Sequence, residues 1–247
     1  MSTDRPDHGP GYATEFAEDY DRWFGKPVVS GPTIDALASL AGEGPVLELG
    51  IGTGRIAVPL RGRGIDVHGV DGSEAMVRRL HAKPGGADIP VTMGDFADVP
   101  VTGSFSLVFL AGGTFFELPD QASQVRCFTN VAERLAPGGV FVFDAHVPEA
   151  LVAATAGGPE VVKEGGDHLV LCYRRFDPSA QRYRSHYIIH EDGRTRHMHV
   201  EFRYAGCGEL DLMADRAGLR LKERWGSWAG APFARDSAYH VSVYERR

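Results

Sequence analysis

Cysteine is scarce in this chain. Cys127, Cys172 and Cys207 are odd in number and far apart along 247 residues, which argues against a disulfide framework and lacks the close pairs of a zinc site. They read as free thiols in a reducing cytosol. Long apolar runs are missing too. None approaches the ~20 residues needed to cross a bilayer, and the polar start over residues 1–11 has no basic-then-apolar pattern, so neither a membrane span nor a signal peptide is expected and the chain is expected in the cytoplasm. Positive charge is in deficit. The 26 Lys and Arg face 33 Asp and Glu, for a net charge of -7, which argues against electrostatically driven binding of nucleic acid.

What is present is the balance of a soluble enzyme, with 43% hydrophobic and 24% charged residues. The length suits one α/β domain with an insertion, spanning 1–247. Residues 1–11 are expected to be flexible. Phe16, Tyr20, Trp23 and Phe24 share a helical face, as do Ile34, Leu37, Ala38 and Ala41, with Pro32 near the start of the second helix. Residues 12–42 are therefore expected to form lid helices. Short apolar strands over 46–49, 67–70, 91–93, 107–110 and 140–143 then alternate with helices from about Ile56, over 74–81 and around 121–135. Such alternation predicts a doubly wound parallel sheet covered on both faces.

The pattern then changes. Strands are expected over 169–175, 182–190 and 195–204, and in the last Met198, Val200, Phe202 and Tyr204 alternate with His197, His199, Glu201 and Arg203. That period of two marks a half-buried antiparallel ribbon, an insertion over 165–205 expected to cover the acceptor site. A helix over 209–217 and strands over 219–225 and 239–244 close the chain.

Open parallel sheets bind ligands at the carboxyl ends of their strands. After the first strand come Glu48, Gly50, Gly52 and Gly54, and Arg55 stands where a dinucleotide fingerprint needs its third glycine. The Glu48 carboxylate would repel a pyrophosphate and suits an ammonium group. Asp71, after the second strand, can accept both hydroxyls of a ribose. Asp95 and Phe96, after the third, can accept from an exocyclic amine and lie on a purine face. A nucleoside carrying an amino acid and a positive charge, without phosphate, matches this series; S-adenosylmethionine is that molecule.

The runs Glu48-Leu-Gly-Ile-Gly-Thr-Gly54, Val70-Asp71, Gly94-Asp95-Phe96 and Leu135-Ala-Pro-Gly-Gly-Val140, in this order, resemble those of class I S-adenosylmethionine-dependent methyltransferases. The resemblance covers roughly Tyr12 to the end. It implies a Rossmann-like, seven-stranded, mostly parallel sheet with an antiparallel last strand. It also implies Glu48, Gly50 and Gly52 at the methionine end of the cofactor, Asp71 on the ribose, and Asp95 and Phe96 around the adenine. Arg55, Gly72 and Leu110 complete the expected cofactor contacts, with Tyr20 and Phe24 on a lid helix; packing of that helix on the sheet is the alternative for the last two. The run Tyr20-Asp21-Arg22-Trp23-Phe24 and the insertion resemble aminosugar N,N-dimethyltransferases and glycine N-methyltransferase-like enzymes. The sugar enzymes usually carry an Asp and an Ala-Cys pair where this chain has Glu48 and Gly50-Ile51, and a Ser-rich loop where it has Ala111-Gly112-Gly113-Thr114.

Methyl transfer asks the protein to align and desolvate two reactants and, for some acceptors, to take a proton. The loop from Ala111 to Glu117 should border the transferred methyl group; it lacks the Asn/Asp-Pro-Pro-aromatic segment of DNA amino methyltransferases. His146 is the first candidate base, with a backbone-bonded loop histidine as the alternative; Glu117 is the second, with a solvated acid as the alternative. Trp225, Trp228 and Phe233 could shape the acceptor pocket or belong to the core. His186, His190, His197 and His199 could bind a metal, but a wet sheet face explains them equally well, and no metal is assigned. The strand could still put one of these imidazoles, or Arg203, into the acceptor cavity. The expected partner is a small-molecule acceptor methylated on nitrogen or oxygen, an aminosugar or other natural-product intermediate, with a homodimer left open. A cofactor-binding module without turnover is the alternative, and a nicotinamide-dependent oxidoreductase a further one, against which Glu48 and Arg55 both count.

Overall fold

The computed structural model describes residues 16–24, 31–155, 157–166 and 168–247; the stretch expected to be flexible, 1–11, lies outside them. The chain runs α1 (Tyr20–Phe24), α2 (Gly31–Ala41), β1 (Val46–Leu49), α3 (Ala57–Gly62), β2 (Val67–Asp71), α4 (Glu74–His81), β3 (Val91–Met93) and β4 (Phe105–Leu110). A 3₁₀ turn (Thr114–Glu117), α5 (Gln121–Arg134), β5 (Leu135–His146) and α6 (Pro148–Thr155) follow. Then come β6 (Glu160–Gly165), β7 (His168–Asp177), β8 (Arg182–Glu191), β9 (Arg194–Arg203), α7 (Cys207–Arg216), β10 (Leu219–Trp225) and β11 (Tyr239–Arg246).

Seven strands pair in the order β10-β11-β5-β4-β1-β2-β3. All neighbours from β5 to β3 are parallel, with Val46 beside both Val67 and Leu107, and β11 runs antiparallel between β5 and β10. This is the fold expected from the motifs. After β1 the chain moves outward one way through β2 and β3, then returns to the other side of β1 with β4. The carboxyl ends of β1 and β4 therefore face an open crevice, the position where such sheets take ligands. Every residue of β1 is buried because helices cover both faces. On one face, Leu47, Leu49, Val108 and Phe141 pack with Phe128 and Val131 of α5 and Leu210 and Met213 of α7. On the other, Val46, Val67, Phe109 and Val142 pack with Leu37 of α2 and Leu60 of α3. Burying each such side chain contributes about 1.5–3 kcal/mol.

The insertion is a second sheet, β6-β7-β8-β9, antiparallel throughout. Its inner face buries Val170, Ile189, Met198 and Val200 against Phe16 and Trp23. Arg203, 5% exposed, anchors it: the guanidinium donates to Gln124 Oε1 of α5 at 2.5 Å and to Glu209 Oε1 of α7 at 2.6 Å. Arg203 is thus an anchor and does not line the cavity in the crevice above β1 and β4. The edge strand β6 and helix α6 did not emerge from periodicity. Among the described residues no helix is long and apolar enough to cross a membrane.

Candidate active site

The crevice above β1 and β4 holds a cavity of about 900 Å³. Its floor is the glycine turn after β1. Gly50, Gly52 and Gly54 have φ of 70°, 55° and 73°, the left-handed region that glycine enters without strain. Space is short as well: a Cβ at Gly50 would lie 2.8 Å from Thr114 Cγ2, and one at Gly54 would lie 2.7 Å from Leu80 Cγ. The turn can therefore pass close under a ligand.

Two carboxylates flank it. Asp71 Oδ2 accepts the Gly52 N–H at 2.7 Å and Oδ1 accepts the Ser73 N–H at 2.7 Å. Burial raises its pKa, and these N–H groups pull the other way. Each oxygen keeps a lone pair for a further donor. Glu48, 5% exposed, lies deeper. Its Oε2 is buried with no hydrogen-bond partner among the described residues, and burial holds its carboxyl well above the usual range, against the opposing field of Arg55. A buried oxygen left bare is costly. Because Glu48 lines the cavity, a ligand cation such as the ammonium of a bound amino acid would complete it. Arg55 lies above the Tyr20 ring, 4.9 Å from its centroid, with Nη2 3.4 Å from the Tyr20 hydroxyl.

Helix α1 is pinned over this turn. Asp21 accepts from Thr53 Oγ1 at 2.6 Å and pairs with Lys83 Nζ at 2.5 Å, while Lys83 also donates to the Thr53 carbonyl at 2.7 Å. At the opposite rim Asp95 Oδ1 accepts the Ala97 N–H at 2.8 Å, and Phe96 lines the cavity beside it.

Most residues named from the sequence meet here: Tyr20, Glu48, Gly50, Gly52, Arg55, Asp71, Gly72, Asp95, Phe96 and Glu117 all line this cavity. Others do not. Leu110 is fully buried beneath the floor, and its neighbour Ala111 lines the space instead. Phe24 ends α1, and its side chain lies outside the described residues. His146 lines a separate space of about 310 Å³ with Cys172 and Arg174. Desolvation lowers its pKa first, and Arg174 adds to this. The physical reason is strand length: β5 runs past Phe143 to His146, carrying the imidazole beyond the crevice into the wedge under α6. Trp228 belongs to the core, and Trp225 and Phe233 do not line the cavity.

The sequence allowed for an imidazole of the ribbon in this cavity, which is His199, but did not single out its companions in the far wall. Arg182, His199, Glu201 and Phe202 from β8 and β9 line it, and Arg182 donates to the Pro119 carbonyl at 2.7 Å. Their signal was present in the alternation of β9, but alternation does not say which cavity a strand borders. Glu117 is half-buried in that wall, and its charge contributes to the raised pKa of the Tyr20 and Tyr183 phenols, which burial raises first. His186, His197 and His199 cluster on the second sheet, with the His186 and His199 rings 4.1 Å apart and His199 also reaching the rim of the cavity. Among the described residues no group of three or more His, Cys, Asp or Glu is arranged to hold a metal.

Residues 46–139 match a family model described as a methyltransferase domain. The chain is 37% identical to the CcbJ methyltransferase of Streptomyces caelestis, covering 97% of this chain and 99% of that one with a TM-score of 0.87. It is 29% identical to the cypemycin N-terminal methyltransferase of a Streptomyces species, over 82% of this chain and 83% of the relative. The sugar N-methyltransferase KedS8 of Streptoalloteichus sp ATCC 53650 shares the fold at 20% identity, with a TM-score of 0.66 over 93% of this chain and 92% of that one.

Proposed function

We propose that this chain, which belongs to the S-adenosylmethionine-dependent methyltransferases, methylates a nitrogen of a small natural-product acceptor such as an aminosugar, as a single-domain cytoplasmic enzyme. What carries this reading is that Glu48, Asp71 and Glu117 open onto one cavity. Glu48 would hold the methionine ammonium, Arg55 its carboxylate and Asp71 the ribose hydroxyls; Asp95 and Phe96 would take the adenine. The bare Glu48 oxygen fits this set, since only a cationic donor answers its charge and its desolvation together.

When bound, the cofactor supplies a methyl group on a positively charged sulfur, already activated for displacement. The remaining work falls to the chain. The far wall would bring acceptor and methyl into line within the crevice. An amine arrives protonated and must lose a proton before its lone pair can attack. Of the two carboxylates in the far wall, Glu117 is half-buried and Glu201 exposed, so Glu117 would attract the ammonium and take its proton. The nitrogen lone pair then forms the C–N bond as the C–S bond breaks, and the C–S electron pair stays on sulfur. The names of the relatives, which speak of an N-terminal and a sugar N-methyltransferase, support nitrogen over oxygen.

The test is a turnover screen of the full chain against an aminosugar glycoside, a secondary cyclic amine and a phenol, each with S-adenosylmethionine. Amine methylation is expected, and Glu117→Gln should lower kcat/KM by about 100-fold while moving the affinity for S-adenosylhomocysteine less than twofold. Turnover of the phenol alone would overturn the nitrogen assignment. Stabilisation by NAD in place of S-adenosylhomocysteine would overturn the whole reading.

A further inference from the structure

Gly112 and Gly113, with φ of 81° and 78°, aim two successive backbone N–H groups at one point, and the Asp144 carboxylate fills it. Its Oδ2 accepts the Gly112 N–H at 3.1 Å and its Oδ1 accepts the Gly113 N–H at 2.8 Å. Such paired amides form an anion-holding nest. Two further donors reach the same carboxylate from the end of the chain: the Trp228 indole N–H at 2.8 Å and the Tyr239 hydroxyl. Asp144 is 2% exposed, so these are charge-assisted bonds in dry surroundings, the stronger kind.

What the nest holds matters for the cavity. The 3₁₀ turn begins at the next residue, with Gly113 as its cap. Phe115 of that turn stacks on Phe143, the neighbour of Asp144, at 4.5 Å between centroids. Ala111, Thr114 and Glu117 then point into the cavity. We propose that Asp144 is the positioning residue of the acceptor wall: its carboxylate sets the path of residues 111–117 and so aims Glu117, while Trp228 and Tyr239 hold the carboxylate in place. The catalytic half of this statement rests on the function proposed for Glu117; the positioning half does not. A buried acid serving stability alone is the competing account, and it predicts loosening spread over the whole sheet.

The experiment is hydrogen–deuterium exchange on the full chain with S-adenosylhomocysteine, comparing the wild type with Asp144→Asn. The amide of the variant places a donor where the nest offers only donors. Exchange of residues 111–117 should accelerate by about tenfold with β1 and β2 unchanged. S-adenosylhomocysteine affinity should stay within about threefold, and kcat on the fastest amine of the screen should fall by about 100-fold with KM little changed. Gly113→Ala attacks the clasp from the loop side. No atom of the described residues lies within 4 Å of the added methyl, so backbone strain is its main effect, and it should reproduce the local exchange change even if Asp144→Asn folds poorly. Unchanged exchange at 111–117, or acceleration spread evenly over the sheet, would overturn the positioning role. A wild type that methylates none of the screened acceptors would remove the proposed function while leaving the exchange result to decide Asp144.

Discussion

Glu48 Oε2 is buried and has no hydrogen-bond partner among the described residues, a desolvation cost that a bound cation would relieve. Burial holds its carboxyl well above the usual range, so at pH values below that raised pKa the empty site carries a proton there. An ammonium drawn to Glu48 restores the charged form and expels that proton. Binding of S-adenosylhomocysteine should therefore strengthen as pH rises toward the raised pKa and level off above it. Calorimetry in buffers of different ionisation heat should show proton release approaching one per site. Glu48→Gln should abolish the release and weaken binding by about 1.5–3 kcal/mol. Release from the wild type equal to that from Glu48→Gln would remove Glu48 from the ammonium site. Glu48, Asp71 and Asp95 were legible in the sequence because each directly follows, or nearly ends, a short apolar strand, and strand ends fix position. Asp144 also directly follows an apolar strand, 140–143, yet its role was not legible, because its partners, the Gly112 and Gly113 N–H groups, lie about thirty residues earlier in a loop whose path only the fold reveals.

At the level of elements, the strongest periodic segments were the most legible. The sequence places α4 over 74–81, where the structure has Glu74–His81, because Met76, Val77 and Leu80 recur at helical spacing and Ser73 caps the start, accepting the Met76 N–H. Strand β6 was missed because Glu160–Gly165 is an edge with little buried surface, where neither face demands apolar residues. Helix α1 is short, Tyr20–Phe24, too short to persist by itself. Its position over the glycine turn depends on Asp21, which joins Thr53 and Lys83. Asp21→Ala should therefore raise the dissociation rate of S-adenosylhomocysteine by about tenfold in stopped-flow measurements. Thermal stability without ligand should fall by less than about 1 kcal/mol, since the pair is partly solvated. Equal dissociation rates would show that α1 is held by Phe16 and Trp23 packing alone.

For the molecule as a whole, acid sensitivity follows from histidine burial. His240 in β11 is fully buried, and burial lowers its pKa to about 4. The unfolded chain takes up this proton near pH 6.5, so the contribution is fully present above pH 6.5 and is lost as pH falls toward 4. The loss amounts to about 3 kcal/mol in all. Desolvation lowers His146 and His186 as well, which adds in the same direction. Urea titrations between pH 7 and pH 4 should show stability falling, and His240→Leu should flatten that slope. A variant with the same slope as the wild type would exclude His240 as its source.

The second sheet leaves the main sheet after β5 and rejoins it through α7 and β10, and its strand pairings are all its own. Glu48, Gly52 and Asp71 come from the earlier stretch of chain, whereas Arg182, His199, Glu201 and Phe202 come from this one block. Heredity can therefore revise one wall of the cavity and keep the other. A lineage could recut that wall by drift within a single cassette while the wall built on the earlier strands stays untouched.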